Sequence, residues 1–315
     1  MKANRLAAMC GLLLAALLPA GAPAREPLRL GTNVWPGYEP LYLARDRGYL
    51  DPARVKLVEF RSATQVMHAL ETGAIDGGAL TLDEVLTVTG RGVPLTLVMA
   101  LDISAGADCI IVQPELAGMA DLRGRRIAVE NTALGAYVLL RALEQAGLPV
   151  EEIEAVRMDV SRHVRSFESG EIAASVCFDP TRSKLLALGG KEVFTSNDIP
   201  GEIVDLIAIR NDALDRRRDA LRHIGAAWDA ALAYIADEPE NAYSMLGRRM
   251  GLDLDGARSA YSRLNLLDLR ASVQLLTSEA FRLETMVRVR RFMVDRGLIA
   301  HPLDPAIDAV LPETG

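Results

Sequence analysis

The chain has 315 residues, 50% of them hydrophobic and 24% charged, with a formal net charge of −7. An acidic balance with no block of lysines or arginines argues against nucleic acid and anionic membranes as partners. Beyond the N-terminus, no segment approaches the roughly 18 uninterrupted apolar residues that a membrane-spanning helix needs.

Residues 1–24 read as a secretory signal. Lys2 and Arg5 supply a basic start, "LAAMCGLLLAALLPA" an apolar run, and Ala22-Pro23-Ala24 the small residues of a cleavage site after Ala24. A lipid anchor on Cys10 is the alternative, but Met9 stands where a lipoprotein signal needs a small residue. Loss of Lys2 and Arg5 with no acid takes the formal charge from −7 to −9. The remaining chain, about 290 residues, exceeds the usual size of a single core, so two lobes are expected in a periplasmic protein. Cys109 and Cys177 lie in apolar strand-like runs and read as core thiols rather than a disulfide. No Cys/His spacing suits zinc, so no metal is expected.

From residue 28 to about 200, short apolar runs alternate with helical patterns. "LRLGTN" predicts a strand, Glu39 to Arg47 a helix, "VKLVEF" a strand, and "ATQVMHALETG" a helix closed by Gly73. "AIDGGAL" is a strand, "TLDEVLTVTGRG" a helix, and "PLTLVMAL" and "DCIIVQ" are strands separated by the break "DISAGAD". A second alternating set follows. Its strands are "RRIAV", "IEAVRM", "IAASVCF" and "KEVFTS", and its helices "ALGAYVLLRALEQAG", "SRHVRSFESG" and "PTRSKLLALGG". After the break "SNDIPGE", "IVDLIAIR" reads as a strand returning to the first sheet, and everything from Leu214 onward as helix. This alternation indicates βαβ units, with parallel sheets covered by helices on both faces. "ALETGAIDGG" and "SFESGEIAAS" share one plan, although Ala173 stands in the second where the first has Asp76, itself read as structural.

The segment "DLRGRRIAVENTALGAYVLLRALEQAGL" resembles the second-lobe opening of periplasmic solute-binding proteins of ABC importers. "PLYLARDRGYLD", "ALETGAIDGG" and "FMVDRGLI" followed by Pro302 and Asp304 are similar to the same family. The branch resembled contains sulfonate-, taurine-, nitrate- and thiamine-precursor-binding proteins. The resemblance implies a two-lobed periplasmic-binding-protein fold (type II like): two doubly wound α/β lobes, a two-segment hinge and a helical C-terminal part. Lobe 1 would comprise residues 26–106 plus 205–315, and lobe 2 residues 107–204. It further implies a monomer without a cofactor that hands a small molecule to a membrane permease of an ABC importer. A ligand-sensing subunit for a membrane signalling protein is the alternative. A pyrimidine-synthase-like enzyme fits poorly, because the chain has few lysines and no cysteine cluster.

In open parallel sheets, ligands bind beyond the carboxyl ends of the strands. The loops there run over residues 33–39, 79–83, 102–108, 130–137, 159–163 and 178–182. In the first, Trp35 and Tyr38 are candidates for an aromatic ligand wall, and Tyr42 for core. Thr81 either caps the next helix or reaches the ligand. In relatives that hold oxyanions, the loop opening the second lobe is a turn rich in glycine and hydroxyls. Here it reads Glu130-Asn131-Thr132-Ala133 and leads on to Tyr137. A carboxylate there repels an anion. Glu39, Asp83, Asp102, Asp108, Glu130 and Asp179 all fall near strand ends or crossovers, with only Arg162, Arg165 and Arg182 nearby. The expected ligand is therefore cationic or zwitterionic, such as an amine or an aminomethyl-pyrimidine. His163 reads as a surface or capping residue.

Overall fold

A computed structural model describes residues 26–130, 132–300 and 304–309. The signal-like segment, Asn131 and Pro302 lie outside the described residues. Two sheets organise the chain. The first contains β1 (Leu28–Asn33), β2 (Val55–Phe60), β3 (Gly77–Thr81), β4 (Leu95–Ser104), β10 (Val204–Arg210), β11 (Leu264–Leu266) and β12 (Ala306–Ile307). Its order is β11-β4-β10-β3-β1-β2, with β12 also on β4. The second holds β5 (Cys109–Val112), β6 (Arg126–Val129), β7 (Glu154–Arg157), β8 (Ala174–Cys177) and β9 (Lys191–Thr195), ordered β7-β6-β8-β5-β9.

Helices α1 (Glu39–Asp46), α2 (Ala63–Glu71) and α3 (Leu82–Gly90) connect the first sheet's strands. Helices α4 (Ala133–Gln145), α5 (His163–Glu168) and α6 (Thr181–Ala187) do so in the second. The shared plan of the two sequence segments is visible here. Each helix, α2 and α5, ends at a left-handed glycine, Gly73 (φ 72°) and Gly170 (φ 71°), before the chain enters a strand. Asp76 ties down the start of β3 by accepting the Arg29 backbone N–H and guanidinium, both at 2.9 Å.

Neither sheet is wholly parallel, contrary to the sequence expectation. β10 runs antiparallel to both β3 and β4, and β5 antiparallel to β8 and β9. Parallel neighbours need a crossover packed on their own sheet. β5 and β10 are instead entered directly from the other sheet, through residues 105–108 and 196–203, so that constraint does not apply to them. These two crossovers are stitched together. The Ser104 and Ser196 hydroxyls lie 2.7 Å apart, Gly106 N donates to Ser196 Oγ at 2.6 Å, and Ser196 N donates to Asp108 O at 2.8 Å.

The C-terminal part is helical but not entirely so. α7 (Asn211–Asp237), α8 (Pro239–Met250), α9 (Leu254–Tyr261), α10 (Leu269–Thr277) and α11 (Met286–Asp295) are interrupted by β11, and β12 follows them. Both strands pair along the outer edge of the ten-residue β4. Strands of three and two residues are too short to register as a hydrophobic period. Among the described residues, no helix is long and apolar enough to cross a membrane.

Cys109 and Cys177 face each other across β5 and β8, both buried and both free thiols, with sulfurs 3.9 Å apart. In the first sheet, β10 is the central strand and the apolar side chains of Leu206, Ile207 and Ile209 are fully buried. Gly77 lets β10 approach β3, since a Cβ there would stand 2.9 Å from the Ala208 carbonyl oxygen. Ile207→Ala should therefore lower unfolding stability by about 2–5 kcal/mol, read as a lower urea midpoint at unchanged slope.

Candidate functional site

The loop after β1 crosses the carboxyl end of the first sheet and delivers two aromatics to a buried pair of acids. Asp102 on β4 and Asp205 on β10 are direct cross-strand partners. Trp35 Nε1 donates to Asp102 Oδ2 at 3.4 Å, and the Tyr38 hydroxyl donates to Asp205 Oδ1 in a short hydrogen bond. Gly37 makes the approach possible, because a Cβ there would collide with the Asp102 carboxylate and the Trp35 indole nitrogen. The Tyr261 hydroxyl pins the loop from outside by donating to Pro36 O at 2.7 Å. From the opposite lobe, the Phe178 ring meets Trp35 edge-on, with centroids 5.1 Å apart.

Two small cavities lie where the lobes meet. Asn33, Trp35, Tyr38, Thr81, Glu84 and Asp205 line the first from the first-sheet lobe. Asp108, Val160, Val176 and Cys177 contribute to the second. Glu130, Thr132, Leu134 and Phe178 line both, so the two are halves of one pinched cleft. Each half has a volume of about 20 Å³, room for about one water. A larger solute enters only when the lobes part or the shared side chains move.

Buried acids surround this cleft, two of them, Asp83 and Asp102, lying beyond its lining. Asp83, Glu84, Asp102, Asp108 and Asp205 are each 0–2% exposed, and Glu130 is half-buried. Burial raises every one of these carboxyls above its ordinary range. Asp83 rises to about 6, and Asp102, Asp108 and Glu130 to about 7. Asp159 adds to the effect on Glu130. Glu84 and Asp205 are pushed well above their usual values, first by burial and then by the neighbouring Asp83 and Asp102 charges respectively. Like charges directly opposite in a sheet destabilise it, so the Asp102–Asp205 pair is expected to retain a proton.

Several buried oxygens have no hydrogen-bond partner: Asp83 Oδ2, Asp102 Oδ1, Asp108 Oδ2, Asp205 Oδ2 and Asn33 Oδ1, whereas Thr81 takes the capping-box position at the start of α3. Among the described residues, no lysine or arginine lines either half. Three side-chain donors of the first half are engaged with protein acceptors. The Trp35 and Tyr38 donors serve the two aspartates, and the Asn33 amide nitrogen turns to Val34 O at 3.4 Å. At the start of α4, Thr132 Oγ1 caps the helix by accepting Gly135 N at 3.0 Å, with Glu130 just in front.

The expected residues divide into two groups. Trp35, Tyr38, Thr81, Glu130 and Thr132 come together in the first half and Asp108 in the second, while Asp83 is buried outside both linings. Three others are engaged away from the cleft. Glu39 pairs with Arg249, and Asp179 caps α6 through Ser183 N at 3.0 Å. The Tyr137 hydroxyl donates to Glu202 at 2.6 Å, and its ring packs against Phe292. Asn131 lies outside the described residues. His163 is a correction, being neither exposed nor a cap. It is fully buried with Nδ1 2.9 Å from Ser175 Oγ, and burial pushes its pKa down to about 4. Glu84, Asp205 and Leu134 line the cleft without having been singled out. For Asp205 the signal was present as one acid inside an otherwise apolar strand, "IVDLIAI".

Comparison with known proteins places this architecture. A family model described as the NMT1-like family matches residues 21–247. The chain belongs to this family. A protein of Escherichia coli (strain K12) named for binding aliphatic sulfonates is 25% identical over 252 residues, covering 78% of each chain. The taurine-binding periplasmic protein of the same organism is 24% identical, over 64% of this chain and 65% of its own. The alkanesulfonate-binding protein SsuA of Xanthomonas axonopodis pv. citri, solved bound to MOPS, superposes with a TM-score of 0.77 at 20% identity. That match covers 91% of this chain and all of the other, and establishes the two-lobed α/β fold of periplasmic binding proteins.

Because folding raises these pKa values from 3.8 to about 7 for Asp102 and Asp108, the folded protein holds protons that the unfolded chain has released. The contribution of the cluster to stability is therefore full below about pH 4 and falls as pH rises toward 7. The melting temperature of the ligand-free protein should drop between pH 5 and 7.5, and Asp108→Asn should flatten that slope. A melting temperature that climbs over this range, equally in both proteins, would contradict the assignment.

Proposed function

We propose that this chain is an extracytoplasmic solute-binding protein that captures a small cationic or zwitterionic molecule between its lobes and delivers it to an ABC permease. Residues 26–106 plus 205–315 would form one lobe and 107–204 the other. One observation carries the reading: a buried cleft lined by carboxyl groups with unpartnered oxygens, and by no lysine or arginine among the described residues. An ammonium, amidinium or guanidinium group satisfies such oxygens by charge-assisted hydrogen bonds, and Trp35 and Phe178 offer it ring surfaces. An aminomethyl-pyrimidine or a simple amine has this chemistry.

The names of the relatives point toward sulfonates and taurine. A sulfonate needs donors, and a low-dielectric site magnifies the repulsion from Glu130. Taurine carries an ammonium group as well, so the proposed difference lies in which end of a solute the cleft prefers.

Calorimetric titration at pH 7.5 should show binding of a primary amine or guanidine compound in preference to an alkanesulfonate. Cation binding favours the ionised carboxyls, so affinity should rise between pH 5.5 and 7.5 as protons leave the cluster. Glu130→Gln removes one charged acceptor and should weaken the amine by roughly tenfold while holding or raising the melting temperature of the ligand-free protein. Tight sulfonate binding with no amine heat would overturn the proposal.

A further inference from the structure

The pinch in the cleft also divides its acceptors. In the first half, Asp205 and Glu84 stand with the unpartnered oxygen of Asn33 and the Thr81 hydroxyl. In the second, Asp108 presents its own unpartnered oxygen beside Val176 and Cys177. Glu130 borders both halves, as do the apolar Leu134 and Phe178. The cleft thus has carboxyl groups at each end, Asp205 and Glu84 in one half and Asp108 among apolar side chains in the other, with Glu130, Thr132, Leu134 and Phe178 shared between them.

A ligand with one cationic group leaves one set of buried oxygens without a donor, at the cost of their desolvation. A ligand with an apolar tail would meet Val138, Val160 and Val176 in the second half but leave Asp108 Oδ2 without a donor. A metal ion does not resolve this, because no group of three or more His, Cys, Asp or Glu among the described residues is placed to hold one. Two donors separated by a short apolar spacer match all three surfaces.

Resting on the cation reading above, we infer that the cleft selects an organic dication, a short chain with a protonated amine or guanidine at each end. One end lies against Asp205, Glu84, Asn33 and Thr81, and the other against Asp108. Glu130 serves both, and the methylene spacer lies along Leu134 and Phe178. Asp108 is then the residue that separates dications from monocations, because it is the acid confined to the second half.

Calorimetry on the full mature chain at pH 7.5 with 1,4-diaminobutane, 1,6-diaminohexane, butylamine and butanesulfonate tests this. At least one diamine should bind ten times or more tightly than butylamine, and Asp108→Asn should bring the two amines within about threefold of each other. Butylamine binding as tightly as both diamines would overturn the dication inference and leave the cation reading intact. Butanesulfonate binding while all three amines give no heat would remove the cation reading itself. Butylamine heat with no heat from either diamine also overturns the inference.

Discussion

Two carboxyl groups face each other across adjacent strands in the first sheet, and much of the site follows from that juxtaposition. Asp102 and Asp205 sit opposite one another on β4 and β10 with almost no exposure. Two negative charges at that spacing in a dry sheet repel strongly, so the pair needs protons or donors. The loop after β1 supplies donors from Trp35 and Tyr38, and Gly37 clears the space between them. The aromatics are thus held by the acids rather than standing free as a wall. Both rings are nearly fully buried, and Phe178 packs edge-on against Trp35.

The same constraint extends across the lobe boundary. Asp83 and Glu84 open α3 beside the first sheet, Asp108 stands in the first crossover, and Glu130 follows β6 of the second sheet. Closing the cleft brings these groups together in a medium that screens poorly, so closure without a cation or protons is opposed. Under the proposed function, a bound cation would reverse the sign and favour the closed arrangement through contacts with both sides. Instability concentrated at the point of binding is a familiar cost of function. Around it, the structure is conventionally tied. Arg263 bonds Glu192 at 2.9 Å through both nitrogens and the Gly106 carbonyl at 2.7 Å, and Arg141 bonds Glu202 at 2.8 and 2.9 Å.

Much of the fold was legible because hydrophobic period and turn glycines report local structure directly. The strands from "LRLGTN" to "IVDLIAIR" and the glycine-closed helices at Gly73 and Gly170 were readable in that way. Strand direction was not, since periodicity fixes which residues are buried but not how a strand was reached. β5 and β10 are antiparallel because of the path between lobes. Partner choice was equally hidden. Glu39 and Asp108 are both acids close to strand ends, yet Arg249 from α8 claims Glu39 while no cation reaches Asp108. His163 carried the same ambiguity until Ser175 was seen beside it. Asp205 shows the opposite lesson, since an acid in a buried strand is costly enough to signal a special environment.

The central claim is that the acid-lined cleft holds a positively charged group. Native mass spectrometry of the protein purified from its native source, followed by identification of the small molecule released on denaturation, addresses it most directly. The account predicts a molecule with at least one strongly basic nitrogen. An anion lacking any basic nitrogen, bound in stoichiometric amount, would contradict it.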